Sequence, residues 1–196
     1  MSKQTAAVAI LLFAAASSVI ASGTATNYFP TSALDQNSAQ SDTFRNDWYS
    51  RHLRAMSEPI LKPSDGTRSY RFTWLRTFHH PVAVRVVATG NRAELFATEL
   101  NGAGGYDPGR VLRTKRLKLT SDQFKKLEGL VQQNNFWSLA AGEESMGLDG
   151  SEWILEGVTD KYHVVHRWTP QSGGVRVIGE EFLSLTGWHY KPNEFY

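Results

Sequence analysis

The residues best suited to chemistry are two carboxylates, a histidine and an arginine in the last quarter of the chain: Glu152, Glu156, His163 and Arg167. A carboxylate beside a histidine is a combination used in general acid–base catalysis, and carboxylates with an arginine bind polar ligands. Either role requires that the four side chains share one neighbourhood. We therefore take them as candidate ligand-binding residues and assign a catalytic role to none.

A predicted β-hairpin brings these four residues together. Apolar and polar residues alternate over 151–158 and over 161–168, with the turn at Thr159–Asp160. In this register each glutamate faces one of the two basic residues on a solvated face, while Trp153 lies opposite His166 on the buried face. The alternative interpretation is a row of cross-strand pairs that holds no ligand.

The remaining histidines do not predict a metal site. His163 and His166 are three residues apart, so on a strand they point to opposite faces and cannot chelate one ion together. We predict that His166 is a hydrogen-bonded core residue. His79 and His80 precede Pro81 in a predicted turn. The chain contains no cysteine, which removes thiolate ligands and nucleophiles, and we predict no metal and no cofactor.

For two further segments a structural role is favoured over a binding role. The glycine-rich stretch 101–109 lacks the last glycine of the dinucleotide fingerprint and the Gly-Lys-Ser/Thr of a phosphate loop, and it leads into a strand, so we predict a structural turn. The basic segment 110–118 is predicted to be a charged edge strand, with a patch for anionic lipid or polysaccharide as the alternative. Local motifs of serine hydrolases, zinc proteases and calcium loops are absent from the sequence.

The elements that position these residues predict an α+β fold. Its architecture is an antiparallel meander sheet of about six strands, with helices packed on one face. Gly90–Asn91 predicts a tight hairpin turn that pairs Val86 with Leu95, and Thr120 with Gln123 predicts a capping box. The predicted elements are a helix over 41–56, strands over 69–78, 82–88, 93–97 and 111–119, a helix over 120–134, the hairpin described above, and a last helix over 175–185, of which 175–178 could instead be a short strand.

The amino terminus has the pattern of a secretory signal peptide over residues 1–21. Lys3 precedes an apolar run that begins at Ala6, and small residues suited to cleavage follow it at Val19 and Ala21, with cleavage after Gly23 or Ala25 as the alternatives. An uncleaved membrane anchor is the alternative, but the run is shorter than the ~20 apolar residues that a bilayer requires. We predict a flexible linker over 22–40, a single domain over 41–196, no transmembrane anchor after cleavage, and a periplasmic or secreted location.

Composition limits the partners of the chain. The 196 residues carry a formal net charge of +2, and removal of the predicted signal peptide takes away Lys3, so nothing predicts a nucleic acid partner. Six Trp, ten Phe and seven Tyr supply apolar area for a core that no disulfide can support.

Several segments resemble a group of uncharacterised exported bacterial proteins, and the likeness extends over roughly residues 44 to 185. The resemblance agrees with export and implies no activity, cofactor or partner. The segments are Trp48–Leu53, Leu75–Val82, Gly104–Gly109, Asp149–Trp153 and Tyr162–Val165.

These observations favour a non-catalytic binding module. It would use an exposed sheet face or edge to bind a protein or another envelope component. The alternative is an envelope hydrolase that uses Glu152, Glu156 and His163, which requires that these groups lie in a concave site.

Overall fold

The computed structural model describes residues 26–143 and 147–196, and the predicted signal peptide lies outside the described residues. Two single 3-10 turns, Phe136–Ser138 and Pro192–Glu194, accompany the helices and strands. In chain order the elements are α1 (Ala39–Ala55), β1 (Thr67–Arg76), β2 (Val82–Thr89), β3 (Arg92–Leu100), β4 (Val111–Leu119), α2 (Ser121–Gln133), β5 (Ser151–Val158), β6 (Tyr162–Trp168) and α3 (Gly174–Thr186).

The predicted α+β class with a six-stranded antiparallel sheet is confirmed. The strand order is β4-β3-β2-β1-β5-β6, so the first four strands form a meander and the second hairpin joins it beside β1. The first hairpin has the predicted register, with Val86 paired to Leu95. The chain turns there at Gly90, whose positive φ of 57° suits a residue without a Cβ.

Helices α2 and α3 cover one face of the sheet. Helix α2 begins at the predicted capping box, in which Thr120 and Gln123 bond each other's backbone N–H. The segment from Val175 is helical rather than extended. Phe72 and Trp153 of the sheet pack against Phe182 of α3 in the centre of this larger core.

The opposite face of the sheet is also covered, so the prediction that all helices lie on one face is wrong. Helix α1 lies there together with the chain that precedes it. Tyr49 and Leu53 of α1 share a second core with Leu75 of β1 and Ile154 of β5. The sheet is therefore the middle of three layers at β1 and β5, where its second face is shielded from solvent, whereas Thr114, Arg116 and Lys118 on the same face of β4 are exposed.

The predicted flexible linker over 22–40 is wrong for the part of it that the structure describes. Tyr28, Phe29 and Leu34 are buried in the second core. The buried carboxylate of Asp42 accepts hydrogen bonds from the backbone N–H groups of Ser32 and Leu34. The average composition of the segment predicted disorder. Order depends instead on three apolar side chains and on one carboxylate that accepts hydrogen bonds from the backbone, and an average does not reveal them.

Helix α1 differs from its prediction in its start and in its buried side. It begins at Ala39 with Ser38 as the N-cap. The sequence predicts its buried side from Phe44, Trp48, Leu53 and Met56, which recur close to helical spacing, but Phe44 is 53% exposed. The buried side carries Leu53 and Met56, as predicted, together with polar residues, among them Arg45, Asn46 and His52, so apolar spacing misplaced the first half of the stripe only.

The second hairpin exists, but its predicted register is wrong by one residue. The turn contains Thr159, Asp160 and Lys161 rather than two residues, and the Thr159 N–H donates to the Lys161 carbonyl at 2.9 Å. As a result Trp153 lies opposite Arg167 instead of His166. A shift of one residue moves every side chain of a strand to the other face relative to its partner.

Candidate functional site

The four predicted ligand-binding residues do not share one surface. Glu152 and Glu156 lie on the face that α1 covers, whereas His163 and Arg167 lie on the face of the larger core. Each glutamate is only 1% exposed, so the predicted solvated row of polar pairs does not exist. The register shift separates the carboxylates from the two basic residues, and burial of both faces removes the predicted solvent contact.

Glu156 belongs to a buried ion-pair network. Arg71 makes a bidentate contact with it, Nε to Oε2 at 2.6 Å and Nη2 to Oε1 at 2.8 Å, and the Tyr162 hydroxyl donates to Oε1 at 3.0 Å. Glu58 binds Arg71 Nη1 at 3.4 Å and Arg85 Nε at 2.8 Å. Burial would lower the pKa of Arg71, but the neighbouring carboxylates outweigh it and the pKa is raised. The network is closed and leaves Glu156 no open side for a substrate.

Glu152 pairs with His166, whereas the predicted register placed these two residues on opposite faces of the hairpin. His166 Nδ1 lies 3.0 Å from Glu152 Oε1, and Nε2 lies 3.0 Å from the Leu34 carbonyl oxygen. The prediction that His166 is a hydrogen-bonded core residue is confirmed. Because both ring nitrogens face acceptors, neither is open to take a proton from a substrate.

His163 and Arg167 support the segment that follows α2. The His163 ring lies edge-on to Phe136 at 5.0 Å between centroids, and burial lowers the pKa of the imidazole. Arg167 donates to the Ala140 carbonyl and pairs with Glu143 at 2.9 Å. These contacts hold residues 136–143 against the end of the sheet.

An open cleft of about 650 Å³ adjoins this segment, and we call it the β6 cleft. Its walls are residues 33–38, which precede α1, and residues 139–143. Tyr162, Val164 and His166 of β6 line it, together with Arg45 of α1. It lies at the edge of the sheet, since β6 is the last strand in the sheet order.

A second concave surface, the aromatic groove, lies beside α1 and has a volume of about 560 Å³. Tyr106 is 59% exposed and Phe44 53% exposed, whereas Trp48 and Trp168 are half-buried. The aromatic groove is defined by Phe44, Trp48, Tyr106 and Trp168, with the charged residues Asp47, Arg51 and Arg54.

The glycine-rich loop positions Tyr106 in this groove. The Trp48 indole Nε1 donates to the Gly104 carbonyl at 2.7 Å, and Arg51 Nη2 donates to the Tyr106 carbonyl at 2.9 Å. The Gly104 N–H donates to the Arg76 carbonyl at 2.8 Å, and a Cβ at Gly104 would lie 2.5 Å from the Arg76 nitrogen. The loop is a structural turn, as predicted, and its close approach to β1 requires glycine.

Sequence reasoning missed the aromatic groove for two reasons. It assigned Phe44 and Trp48 to a buried stripe, and it extended the first strand to Phe78, although β1 ends at Arg76. Phe78 is instead 59% exposed, with its ring 6.1 Å from that of Tyr106. The available signal was the polar spacing of Asp42, Arg45, Asn46 and Tyr49, which marks the true buried side of α1.

The other candidate segments take ordinary structural roles. The basic segment forms β4, which is an edge strand as predicted, and Arg113 and Arg116 pair with Glu99 and Glu94. Within residues 26–143 and 147–196, no three histidine or acidic side chains converge as a metal site. No helix in that same part of the chain has the length and apolar character needed to cross a bilayer.

No protein-family model matches the chain, and a search of curated proteins found no significant match.

Proposed function

We propose that the chain is an exported, non-catalytic binding module that docks a protein partner in the aromatic groove. The observation that carries the proposal is the grouping of four aromatic side chains around one open concavity, with Phe44 and Tyr106 more than half exposed. Soluble proteins rarely leave large apolar side chains grouped in this way without a binding role. The signal-peptide pattern over residues 1–21 supports the exported location.

The composition of the aromatic groove fits a protein interface. Tyrosine, tryptophan and arginine are the residues most enriched among those that dominate binding energy, and the groove contains all three. Its volume of about 560 Å³ suits one or two inserted side chains of a partner. Hydrogen bonds from Trp48 and Arg51 to the glycine-rich loop hold both walls in place, which lowers the entropic cost of binding.

The charges of the groove indicate the chemistry of the partner. Arg51 and Arg54 outnumber Asp47, and both guanidinium groups are exposed although each donates one bond to a backbone carbonyl. A complementary partner presents an aromatic or aliphatic anchor beside a carboxylate. Arginine binds that carboxylate in a planar, two-bond geometry.

The hydrolase alternative receives less support. It requires Glu152, Glu156 and His163 in one concave site, and the register separates His163 from both glutamates. Each glutamate is already engaged, one by His166 and the other by Arg71. No observation on the described residues favours a reaction at these groups.

The experiment is a selection of phage-displayed random peptides on the chain from residue 22 onward. We expect enrichment of an aromatic or aliphatic residue beside Asp or Glu. Replacement of one dominant interface side chain costs about 2 kcal/mol, so Phe44→Ser and Tyr106→Ser should each weaken the enriched peptide about 30-fold, as measured by fluorescence anisotropy.

Val111→Ser and Leu112→Ser are the matched controls. These apolar side chains are 49% and 51% exposed but lie on the edge strand β4, away from the groove, so both variants should bind like the wild type. The proposal fails if no peptide is enriched, or if the Phe44 and Tyr106 variants bind as tightly as these controls.

A further inference from the structure

The outer edge of β6 carries backbone groups that point away from the sheet. The Thr169 N–H donates to the Ser151 carbonyl at 2.7 Å. Backbone groups alternate along a strand, so the N–H and C=O of the odd-numbered residues of β6 point toward β5. The His166 N–H donates in the opposite direction, to the Ala141 carbonyl at 2.7 Å. The backbone N–H and C=O groups of even-numbered residues, including Val164 and Tyr162, therefore point away from β5.

Only one backbone hydrogen bond joins residues 136–143 to this edge in the described part of the chain, the one from the His166 N–H to the Ala141 carbonyl. Ala141 covers His166, but within residues 26–143 and 147–196 the outward N–H and C=O of Val164 have no hydrogen-bond partner. The β6 cleft begins at this point, and Tyr162 and Val164 form part of its lining. Backbone donors and acceptors at the bottom of a cleft require a partner, from water or from another chain.

The wall that faces this edge is fixed before any ligand arrives. Asp42 Oδ1 accepts the Leu34 N–H at 2.9 Å, and Asp42 Oδ2 accepts the Ser32 N–H at 2.9 Å. His166 Nε2 holds the Leu34 carbonyl from the other side. The buried carboxylate and the buried imidazole thus set the width of the cleft, which reduces the ordering cost of binding.

A buried arginine in the β6 cleft lacks a hydrogen-bond acceptor that a ligand could supply. Arg45 lines the β6 cleft with a side chain that is 8% exposed, and its Nε has no hydrogen-bond partner among the described residues. Its Nη1 is already used by Ser41 and lies 3.5 Å from Asp35 Oδ2. Nε is thus a buried donor that lacks an acceptor among the described residues, and an oxygen of a ligand would supply one.

We propose that the β6 cleft binds an extended segment of a partner polypeptide, which adds to the sheet as a strand beside β6. The outward N–H and C=O groups of Val164 and Tyr162 give the segment up to four main-chain hydrogen bonds, and Arg45 selects a carboxylate or amide side chain. Only alternate residues of the added strand bond β6, so those positions exclude proline. This site is separate from the aromatic groove and does not depend on it.

The experiment begins with a protein in which the groove is disabled. A phage-displayed random peptide library is selected on the Phe44→Ser/Tyr106→Ser double variant, so that enriched peptides report on other sites. N-methylation of the enriched peptide should follow an alternating pattern, with about tenfold loss at each residue that bonds β6 and little loss at the residue between. Equal losses at neighbouring positions would overturn strand addition.

Amide hydrogen exchange followed by NMR locates the peptide on the protein. In the free protein we expect fast exchange at Val164 and slow exchange at Val165, whose N–H faces β5. The peptide should slow exchange at Val164 about tenfold or more and leave Val165 unchanged. No protection at Val164 would overturn the proposal, as would dimerisation of the free chain through β6 in sedimentation equilibrium.

Two variants complete the test. Val164→Pro removes an N–H that makes no bond inside the described part of the protein, and we expect the fold to survive and peptide binding to be lost. Arg45→Met keeps the length of the side chain and should weaken acidic peptides about tenfold. If Val164→Pro unfolds the protein, the N-methylation and exchange patterns still decide the outcome.

Discussion

Buried charge on the α1 side of the sheet is the main residue-scale feature of this protein. Glu156 and Arg71 have almost no solvent contact, and among residues 26–143 and 147–196 Glu152 has a hydrogen-bond partner at Oε1 alone, which is His166. Removal of charges from water is costly, so such groups persist only where each is paired. The same pairing that makes these carboxylates tolerable inside the protein withholds them from catalysis.

The Glu156–Arg71 contact leads to a prediction about stability. Glu156→Ala should lower the free energy of unfolding by about 3–5 kcal/mol, because it leaves the buried Arg71 guanidinium with the Pro59 carbonyl and one carboxylate, the more distant Glu58. The measurement is urea denaturation followed by circular dichroism. Glu180→Ala, which removes an exposed partner of Arg176, should cost less than about 1 kcal/mol. Similar losses in the two variants would contradict the assignment of a buried pair.

Two elements far apart in the chain build the aromatic groove. Helix α1 supplies Phe44 and Trp48, and the loop between β3 and β4 supplies Tyr106. Hydrogen bonds from the Trp48 and Arg51 side chains join the helix to the loop, and the loop is held in turn by Gly104, which lies directly against the end of β1. The geometry of the groove therefore depends on a glycine outside it.

Two glycine substitutions test this dependence. Gly104→Ala should cost about 1–3 kcal/mol of unfolding free energy and should weaken groove-binding peptides, because the new Cβ would overlap the backbone of Leu75 and Arg76. Gly129→Ala, inside α2 with its nearest neighbour at 3.9 Å, should instead stabilise by about 0.5–1 kcal/mol and leave binding unchanged. Thermal denaturation measures the stability of each variant, and fluorescence anisotropy measures its affinity for the peptide. A tolerated Gly104→Ala would show that the loop is free to move away from β1.

One sheet serves two cores of different character in the molecule as a whole. The face under α2 and α3 is apolar and aromatic, whereas the face under α1 mixes apolar side chains with ion pairs and a buried histidine. Burial lowers the pKa of His52 on α1, and it also lowers the pKa of His163. The stability of the fold is therefore coupled to pH.

The direction of this coupling can be predicted. As the pH falls through 6.5, histidines of the unfolded chain bind protons first, whereas His52 and His163 in the folded protein bind them only at lower pH. The free energy of unfolding should therefore decrease as the pH falls from 6.5 to the lowered pKa values of the two histidines. Below those values the two histidines should cause no further decrease. Urea denaturation at a series of pH values measures it. His52→Gln should flatten the decrease, and an unchanged slope in that variant would contradict the prediction.

Local signals in the sequence determined a large part of this fold. The first hairpin followed from the Gly90–Asn91 turn, the start of α2 from its capping box, and the position of β4 from its composition. Each of these features depends on residues close together in the chain, where backbone sterics and short-range hydrogen bonds dominate. The same locality explains why the α+β class could be predicted.

Only the tertiary structure decided the register of the second hairpin and the location of the concave surfaces. Alternation over Ser151–Val158 fits either register, because both faces of β5 are buried, and the difference is a single turn residue, Lys161. Whether Phe44 faced solvent depended on which side of α1 met the sheet, and whether Tyr28 was ordered depended on a core formed by distant strands. Such outcomes are set by the packing of remote segments, which no local pattern of residues contains.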